Sequence, residues 1–401
     1  MQQAESMDWS AILEYGESFS IWVLAPGHEK EDEMLHLRGL QRWVGFLVIA
    51  VVVQSAAAAL PAEDVVAALA GRLEQNQLKE GPNRGLWSSE VFFAGPPTTG
   101  MVCAYEWTDN VAYRESAKLG GEYIVWIGVA MGHLLGDEAY ALMSLSRTAD
   151  DPNSNVWGVA LADFYEAQRR EGKTTREYIE QFAQQDMSTN TFYLAHHLVA
   201  AYYVDDLDKD VWRDALIQHL SRVDDGKSEF PMMALGAATW ALTTTGTLDE
   251  TPVSSVGGAP IWEGVLLRDL PSILLSHQVP EGEPFGGSFY YRFDHTSGRF
   301  EGAAAGYTED AIYAALGLVA AASAGENAPD ESMEEAIRAA YAALLDGVDA
   351  EGQVYEHLSH DGQSYHAFAG EMLQGLWAVQ TYLDSLADVE TTEVVLEPKA
   401  E

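Results

Sequence analysis

From about Thr98 to Leu383 the chain repeats one unit: an apolar, Ala/Gly-rich stretch, a short acidic turn, then a stretch whose apolar positions fall on one side at helical spacing. The turns share a form. Asp109-Asn110-Val111-Ala112-Tyr113-Arg114, Gly136-Asp137-Glu138-Ala139-Tyr140 and Asp208-Lys209-Asp210-Val211-Trp212-Arg213 each pair an acid with an aromatic a few residues on. Three- and four-residue apolar spacing predicts helices near Glu63–Lys79, Thr98–Trp107, Val111–His133, Glu138–Ala149, Val156–Arg170, Thr174–Gln185 and Thr189–Val204. The series continues near Val211–Arg222, Phe230–Thr245, Leu266–His277, Thr308–Ala324, Ser332–Leu345 and Tyr365–Leu386.

The helices differ in kind. Ala234–Ala238 and Ala311–Ala322 are apolar nearly all round, so both faces should be buried, whereas Ser332–Arg338 is one-sided and should meet solvent. Helical hairpins of this type cannot bury their apolar faces alone and must stack. The expected fold is all-α: an α/α toroid of about six helical hairpins, with an inner ring wrapped by amphipathic helices. An open α-solenoid with polar capping pairs is the alternative. On this reading the rhyming acidic turns are outer-helix starts.

Two segments break the helical rhythm. Phe285–Phe300 holds the period-2 run Ser288–Asp294 followed by His295-Thr296-Ser297-Gly298, which predicts a small β-hairpin insertion. A second short strand is expected at Gln353–Leu358, before His360-Asp361-Gly362. Loops carried on a rigid scaffold are where function concentrates.

The N-terminus adds a targeting expectation. Arg38 and Arg42 precede the apolar run Val44–Val53 and then Ala56–Ala59, the layout of a secretory signal. Four regions are therefore expected: a polar extension over 1–33 ahead of the true start, a signal peptide or membrane anchor over 34–59, the toroid over 60–386, and an acidic disordered tail over 387–401. The expected location is secreted or in the cell envelope, with no membrane contact for the mature domain. Cys103 is the single cysteine, so no intramolecular disulfide forms, and its apolar setting predicts a buried thiol.

Charge narrows the partners. With 62 acidic against 22 basic residues the formal charge is −40, a surface that repels phosphate backbones and excludes nucleic acid as a natural partner. It also predicts weaker stability at low salt, where screening fades.

Candidate chemistry lies mostly where the rhythm breaks. Alternation places Phe289, Tyr291 and Phe293 on one face, packing the hairpin onto the ring. The other face presents Ser288, Tyr290, Arg292 and Asp294: a phenol, a guanidinium and a carboxylate suited to a sugar acid. Gly306-Tyr307-Thr308-Glu309-Asp310 opens an apolar helix, with Thr308 as N-cap and Glu309 and Asp310 complementing the dipole or acting as paired acid and base at the toroid mouth. His196, in the polar-rich helix Asn190–Tyr203, is either a satisfied core histidine or a base that abstracts a proton α to a uronate carboxylate. Tryptophans at 87, 107, 126, 157, 240, 262 and 377 are available for packing or for sugar stacking. Metal signals are weak: His357 and His360 lack a second ligand cluster, and Asp151-x-Asn153-x-Asn155 lacks the glycine and final acid of a calcium loop. No cofactor or metal is expected.

The run Thr99–Glu106 followed by the Asp109–Tyr113 turn resembles hairpins of secreted α/α-toroid proteins: six-hairpin glycosidases, toroidal polysaccharide lyases and terpenoid-cyclase-like toroids. The likeness covers roughly Glu63–Leu386 and rests on helix grammar, so it transfers no catalytic residue. It implies a carbohydrate-active protein, a polysaccharide lyase or glycoside hydrolase acting on an oligosaccharide or a uronate-containing polysaccharide in the toroid mouth. The alternative is a non-catalytic envelope or matrix scaffold.

Overall fold

The structure is a computed structural model that describes residues 61–87, 93–132, 134–148, 154–170, 187–224, 228–254, 257–292, 305–325 and 331–395. The chain divides into a unit over Met1–Ser55 and a unit over Ala56–Glu401. The first unit, the signal expected over 34–59 and the helix expected at Thr174–Gln185 lie outside the described residues. Among the described residues no helix is long and apolar enough to cross a membrane.

Twelve described helices build the second unit. In chain order they are α1 (Ala62–Asn76), α2 (Gly95–Thr108), α3 (Val111–Met131), α4 (Gly136–Arg147), α5 (Ser154–Arg170) and α6 (Met187–Tyr203). They continue as α7 (Lys209–Leu220), α8 (Pro231–Thr244), α9 (Leu270–Ser276), α10 (Thr308–Ala324), α11 (Glu331–Asp346) and α12 (His366–Val395). Helix α2 packs on α4, α4 on α6, α6 on α8, α8 on α10, α10 on α12, and α12 back on α2. That closed ring is the inner layer of an α/α toroid. The open solenoid is excluded by the α12–α2 contact.

The remaining helices lie outside, each on its own inner partner: α3 on α2, α5 on α4, α7 on α6, α9 on α8 and α10, and α11 on α10 and α12. Helix α1 supplies the last outer position, against α2 and α12, so the two ends of the domain close the circle together. The layers follow from composition. Every residue from Pro231 to Thr243 in α8 is buried, and so is every residue from Gly95 to Tyr105 in α2, while α11 buries only Ala336, Ile337, Ala340, Ala343 and Leu344.

Small residues let the inner helices touch backbone to backbone. Gly100 of α2 lies against Gly370 of α12, where a Cβ would stand 2.6 Å from the Gly370 Cα. A Cβ on Gly136 would come within 2.0 Å of the Tyr193 carbonyl, so this glycine sets how closely the start of α4 approaches α6. Pro96 meets Gly370, and Gly95 meets the Asp137–Glu138 backbone, so the N-terminal ends of α2, α4 and α12 gather at one end of the ring.

Four local expectations change. Gly136-Asp137-Glu138 begins an inner helix, whereas the turns at Asp109 and Asp208 precede the outer helices α3 and α7. The first half of the expected β-hairpin forms isolated bridges, Gln278 with Phe289 and Tyr290 with Ala305, and residues 293–300 lie outside the described residues. The Gln353–Leu358 strand is likewise reduced to bridges, Val348 with Val354 and Tyr307 with His357. Helix α12 runs to Val395, past Leu386, since neither Gly nor Pro interrupts it there.

Candidate active site

Five carboxyl groups meet at the end of the ring where the inner helices begin. Asp137 and Glu138 stand in the first turn of α4, Glu309 and Asp310 in the first turn of α10, and Glu371 in the second turn of α12. Asp137, Glu138, Asp310 and Glu371 are buried, at 5%, 5%, 1% and 2% exposure, while Glu309 stays half-buried. Glu309 is the member of the group that opens toward solvent.

Part of this acidity is spent on capping. The Leu135 N–H donates to Glu138 Oε2 at 2.9 Å, and the Glu138 N–H donates to Asp137 Oδ1 at 2.9 Å. Asp310 reaches across the ring: its Oδ1 accepts the Met233 N–H at 2.9 Å, satisfying an orphan donor in the first turn of α8 behind Pro231. Its Oδ2 has no hydrogen-bond partner among the described residues. Thr308 is not the N-cap: it is the first helical residue, and its hydroxyl donates to the Tyr355 carbonyl at 2.7 Å, tying α10 to the loop before α12.

Glu371 is handled differently. Its Oε1 accepts the Tyr313 hydroxyl at 3.0 Å, and its Oε2 takes no hydrogen bond from an N–H or hydroxyl of the described residues. The Glu309 carboxyl lies within hydrogen-bonding reach of the same group. Two carboxyls attract each other only when they share a proton.

Burial dominates the titration of the whole cluster. A helix N-terminus favours an anion by about 0.3–2 kcal/mol, whereas withdrawing a carboxylate from water costs several. Desolvation accordingly pushes Asp137 up to about 7, and burial followed by the Asp137 charge pushes Glu138 up to about 8. Burial and then Glu356 raise Glu309 to about 7. Glu371 is held well above the usual range by burial first and then by Glu309, and Asp310 by burial despite the Met233 N–H. Near neutral pH the mouth therefore contains protonated carboxylic acids. Tyr193 of α6 stands among them: burial, then Asp137, Glu138, Glu309 and Glu371, raise its phenol.

An aromatic rim borders Glu309 and Asp310. Tyr291 lies 4.6 Å from Tyr307, Tyr307 lies 4.3 Å from His357, and Phe230 meets Tyr291 edge-on at 6.4 Å between ring centres. Burial and then Asp310 raise the Tyr291 phenol, and burial and then Glu356 raise that of Tyr307. Arg292 is exposed and sits 5.8 Å over the Tyr291 ring.

The residues singled out from sequence thus separate. Glu309 and Asp310 lie in the carboxyl cluster, and Arg292 lies at its rim. Tyr290 faces elsewhere, its hydroxyl donating to Glu283 Oε2 at 3.4 Å. Asp294 and Phe293 lie outside the described residues. The strict alternation fails because single bridges replace a ladder, so Ser288 is fully buried, donating to the Phe285 carbonyl at 2.7 Å, and Tyr291 rather than Tyr290 turns to the site. His196 sits in a box of Phe192, Tyr140, Trp240 and Tyr313, with ring centres 4.6, 5.4, 5.1 and 5.6 Å away. Its Nδ1 donates to the Phe192 carbonyl at 3.0 Å, and burial lowers it to about 4. It is a neutral core imidazole, removed from Tyr290 and Arg292.

Sequence reasoning passed over Asp137, Glu138, Glu371, Tyr193, Tyr307 and Tyr313 as site residues. A signal existed for Glu371, the single acid in the run from Ala367 to Val379, where Gln374 is the other polar residue. The tryptophans mostly pack: Trp87, Trp157, Trp240 and Trp262 are buried, and Trp126 is exposed on the outer helix α3. Cys103 is buried, and burial raises its thiol well above the usual value. Among the described residues no three His, Cys, Asp or Glu side chains are placed so that they could hold a metal ion together.

Three solved structures resemble the chain at low identity. A polysaccharide lyase gives a TM-score of 0.48 at 13% identity, over 81% of this chain and 98% of its own. An unsaturated glucuronyl hydrolase from Bacillus sp. GL1, responsible for the degradation of glycosaminoglycan, gives 0.47 at 14%, over 78% and 94%. A family 88 glycosyl hydrolase from Bacteroides vulgatus gives 0.47 at 13%, over 80% and 98%. No protein-family model and no curated protein matches the chain. The toroid assignment rests on the closed ring of inner helices.

Proposed function

We propose that the protein is a glycan-processing enzyme that hydrolyses a glycosidic bond at the mouth of the toroid. The observation that carries this reading is the Glu309–Glu371 carboxyl pair, joined to Tyr313 and held protonated near neutral pH beside an aromatic rim. Glycoside hydrolysis needs a carboxylic acid to protonate the leaving oxygen and a carboxylate to assist at the sugar carbon. Glu309, with solvent access and a pKa of about 7, suits the proton donor, since a catalytic acid works best near the operating pH. Asp137 and Glu371 supply the further carboxyls, and Tyr291 and Tyr307 present the flat apolar faces on which pyranose rings stack.

Elimination fits the site less well. Removing a proton α to a uronate carboxylate calls for a cation on that carboxylate and an accessible base. The groups packed around Glu309 and Glu371 are acids and phenols, and His196 is sealed among aromatics. Incubating the purified protein with neutral, amino-sugar and uronate polysaccharides tests the reading. New reducing ends without unsaturated ends, lost in Glu309→Gln and Glu371→Gln, are expected. Unsaturated ends would establish a lyase, and binding without cleavage would establish a scaffold.

Export belongs to the same proposal, supported by the Arg38–Ala59 pattern. N-terminal sequencing of the mature protein should find a start just after Ala59, and a start at Met1 would contradict it.

A further inference from the structure

Resting on the glycan reading of the mouth, we propose that Phe285 is a stacking platform for an uncharged pyranose unit, next to the unit held at Tyr291 and Tyr307. Among the described residues four that are not glycine have left-handed backbone: Asp109, Asp205, Phe285 and His360. Asp and His tolerate that region, whereas for a bulky aromatic it is an outlier. Phe285, at φ 64°, is the member of the four whose residue type disfavours the conformation. Strain of this kind persists only where surrounding contacts over-determine it, and it gathers at ligand sites.

The contacts around Phe285 impose that backbone. Its carbonyl accepts the Ser288 N–H at 2.9 Å and the Ser288 hydroxyl at 2.7 Å, and the Gly286 N–H donates to the Glu283 carbonyl at 2.9 Å. The loop is fixed in turn to α11. The Gln278 amide donates to the Gly287 carbonyl at 2.9 Å and to the Ala336 carbonyl at 2.7 Å, and a side chain on Gly287 would strike the Ala339 carbonyl. A rigid loop thus carries the ring to the entry of α10. There it lies against Gly306, where a Cβ would stand 2.6 Å from Phe285 Cδ1, yet Phe285 stays 38% exposed. Gly306 precedes Tyr307, so the two rings flank adjacent backbone positions at the mouth. An exposed ring already held in place loses little freedom on binding, which suits the apolar face of a pyranose. Glu281 and Glu283, exposed on the same loop, offer acceptors to sugar hydroxyls and repel an anionic unit or a lipid headgroup.

Reducing-end assays of the full chain on cellobiose and cellotetraose, chitobiose and chitotetraose, and di- and tetragalacturonate test the platform. A dimer fills the rim alone, and a tetramer reaches Phe285. Phe285→Leu keeps a Cβ and an apolar side chain but no flat ring. It should raise KM for a neutral tetramer about five- to tenfold, with kcat, the dimer KM and the melting curve unchanged. Phe285→Tyr should restore the tetramer KM. An unchanged tetramer KM in Phe285→Leu would overturn the platform and leave the glycan site intact. Equal losses on dimer and tetramer with a lowered melting temperature would mark the ring as structural and overturn it too. Cleavage confined to galacturonate would overturn the uncharged unit. If no oligomer is cleaved or bound, the glycan site fails and the platform with it.

Discussion

Two buried polar regions of the toroid interior lie close together and end differently. Around His196, four aromatic rings enclose a side chain whose Nδ1 donates to its own helix, and burial leaves the imidazole neutral. At the mouth, burial drives the carboxyls toward neutrality as well, but they are joined to one another and Glu309 reaches solvent. Tyr313 belongs to both regions, with its ring beside His196 and its hydroxyl on Glu371. Desolvation alone therefore does not make a site. What distinguishes the mouth is that its neutral state depends on protons that can be exchanged.

The sharpest way to break this contrast is to remove one acid. Glu371→Gln and Glu309→Gln should each lower kcat by about 10²–10⁴-fold on any glycan the enzyme cleaves, the size of effect usual for general acid–base groups. An unchanged kcat in both would move catalysis elsewhere.

The pH dependence of stability comes next. Asp137 and Glu138 are raised to about 7 and 8 in the folded protein against about 4 when unfolded, so folding takes up protons between those limits. Their contribution is complete below the unfolded value and is lost as pH rises through 7 and 8. Denaturant titrations should show a loss on the order of 3 kcal/mol between pH 6 and pH 8, reduced in Asp137→Asn/Glu138→Gln. His196 and His219, lowered by burial to about 4, act with the opposite sign: their contribution is complete above about 6.5 and fades as pH falls toward 4. A stability that rises steadily from pH 6 to pH 8 would contradict the carboxyl assignment.

Smaller effects sharpen the comparison at the rim and in the box. Tyr307→Ala should raise KM about tenfold with kcat changed less, as removal of a stacking face predicts. His196→Phe should alter stability by less than about 1.5 kcal/mol and leave the pH–rate profile in place, since the box accepts another ring. Tyr290→Phe, which removes a hydroxyl bonded to Glu283, should change neither kcat nor KM measurably.

The ring was legible because closing it depends on periodic apolar faces and small residues, which a sequence displays directly. Ala234–Ala238 and Ala311–Ala322 are apolar nearly all round and lie in inner helices. Glu309 and Asp310 were noticed because they follow a break in the rhythm. Asp137 and Glu138 were not, because first-turn acids complement a helix dipole wherever they occur, and the turns at Asp109 and Asp208 look the same. The packing of Gly136 against Tyr193 and of Gly95 against the Asp137–Glu138 backbone shows that this turn enters the inner ring. Glu371 joins the others through contacts between α10 and α12, more than 50 residues apart in sequence, and no local pattern records such a contact.

The shared proton is the central claim, and carbon-13 NMR titration of the Glu309 side-chain carboxyl tests it most directly, with the signal assigned through Glu309→Gln. A midpoint near 7, shifted upward in Glu371→Gln because the hydrogen bond from the Glu371 carboxyl lowers it, is the expected result. A midpoint at the ordinary glutamate value of about 4.3, unmoved by Glu371→Gln, would show that the pair holds no common proton and would contradict the account.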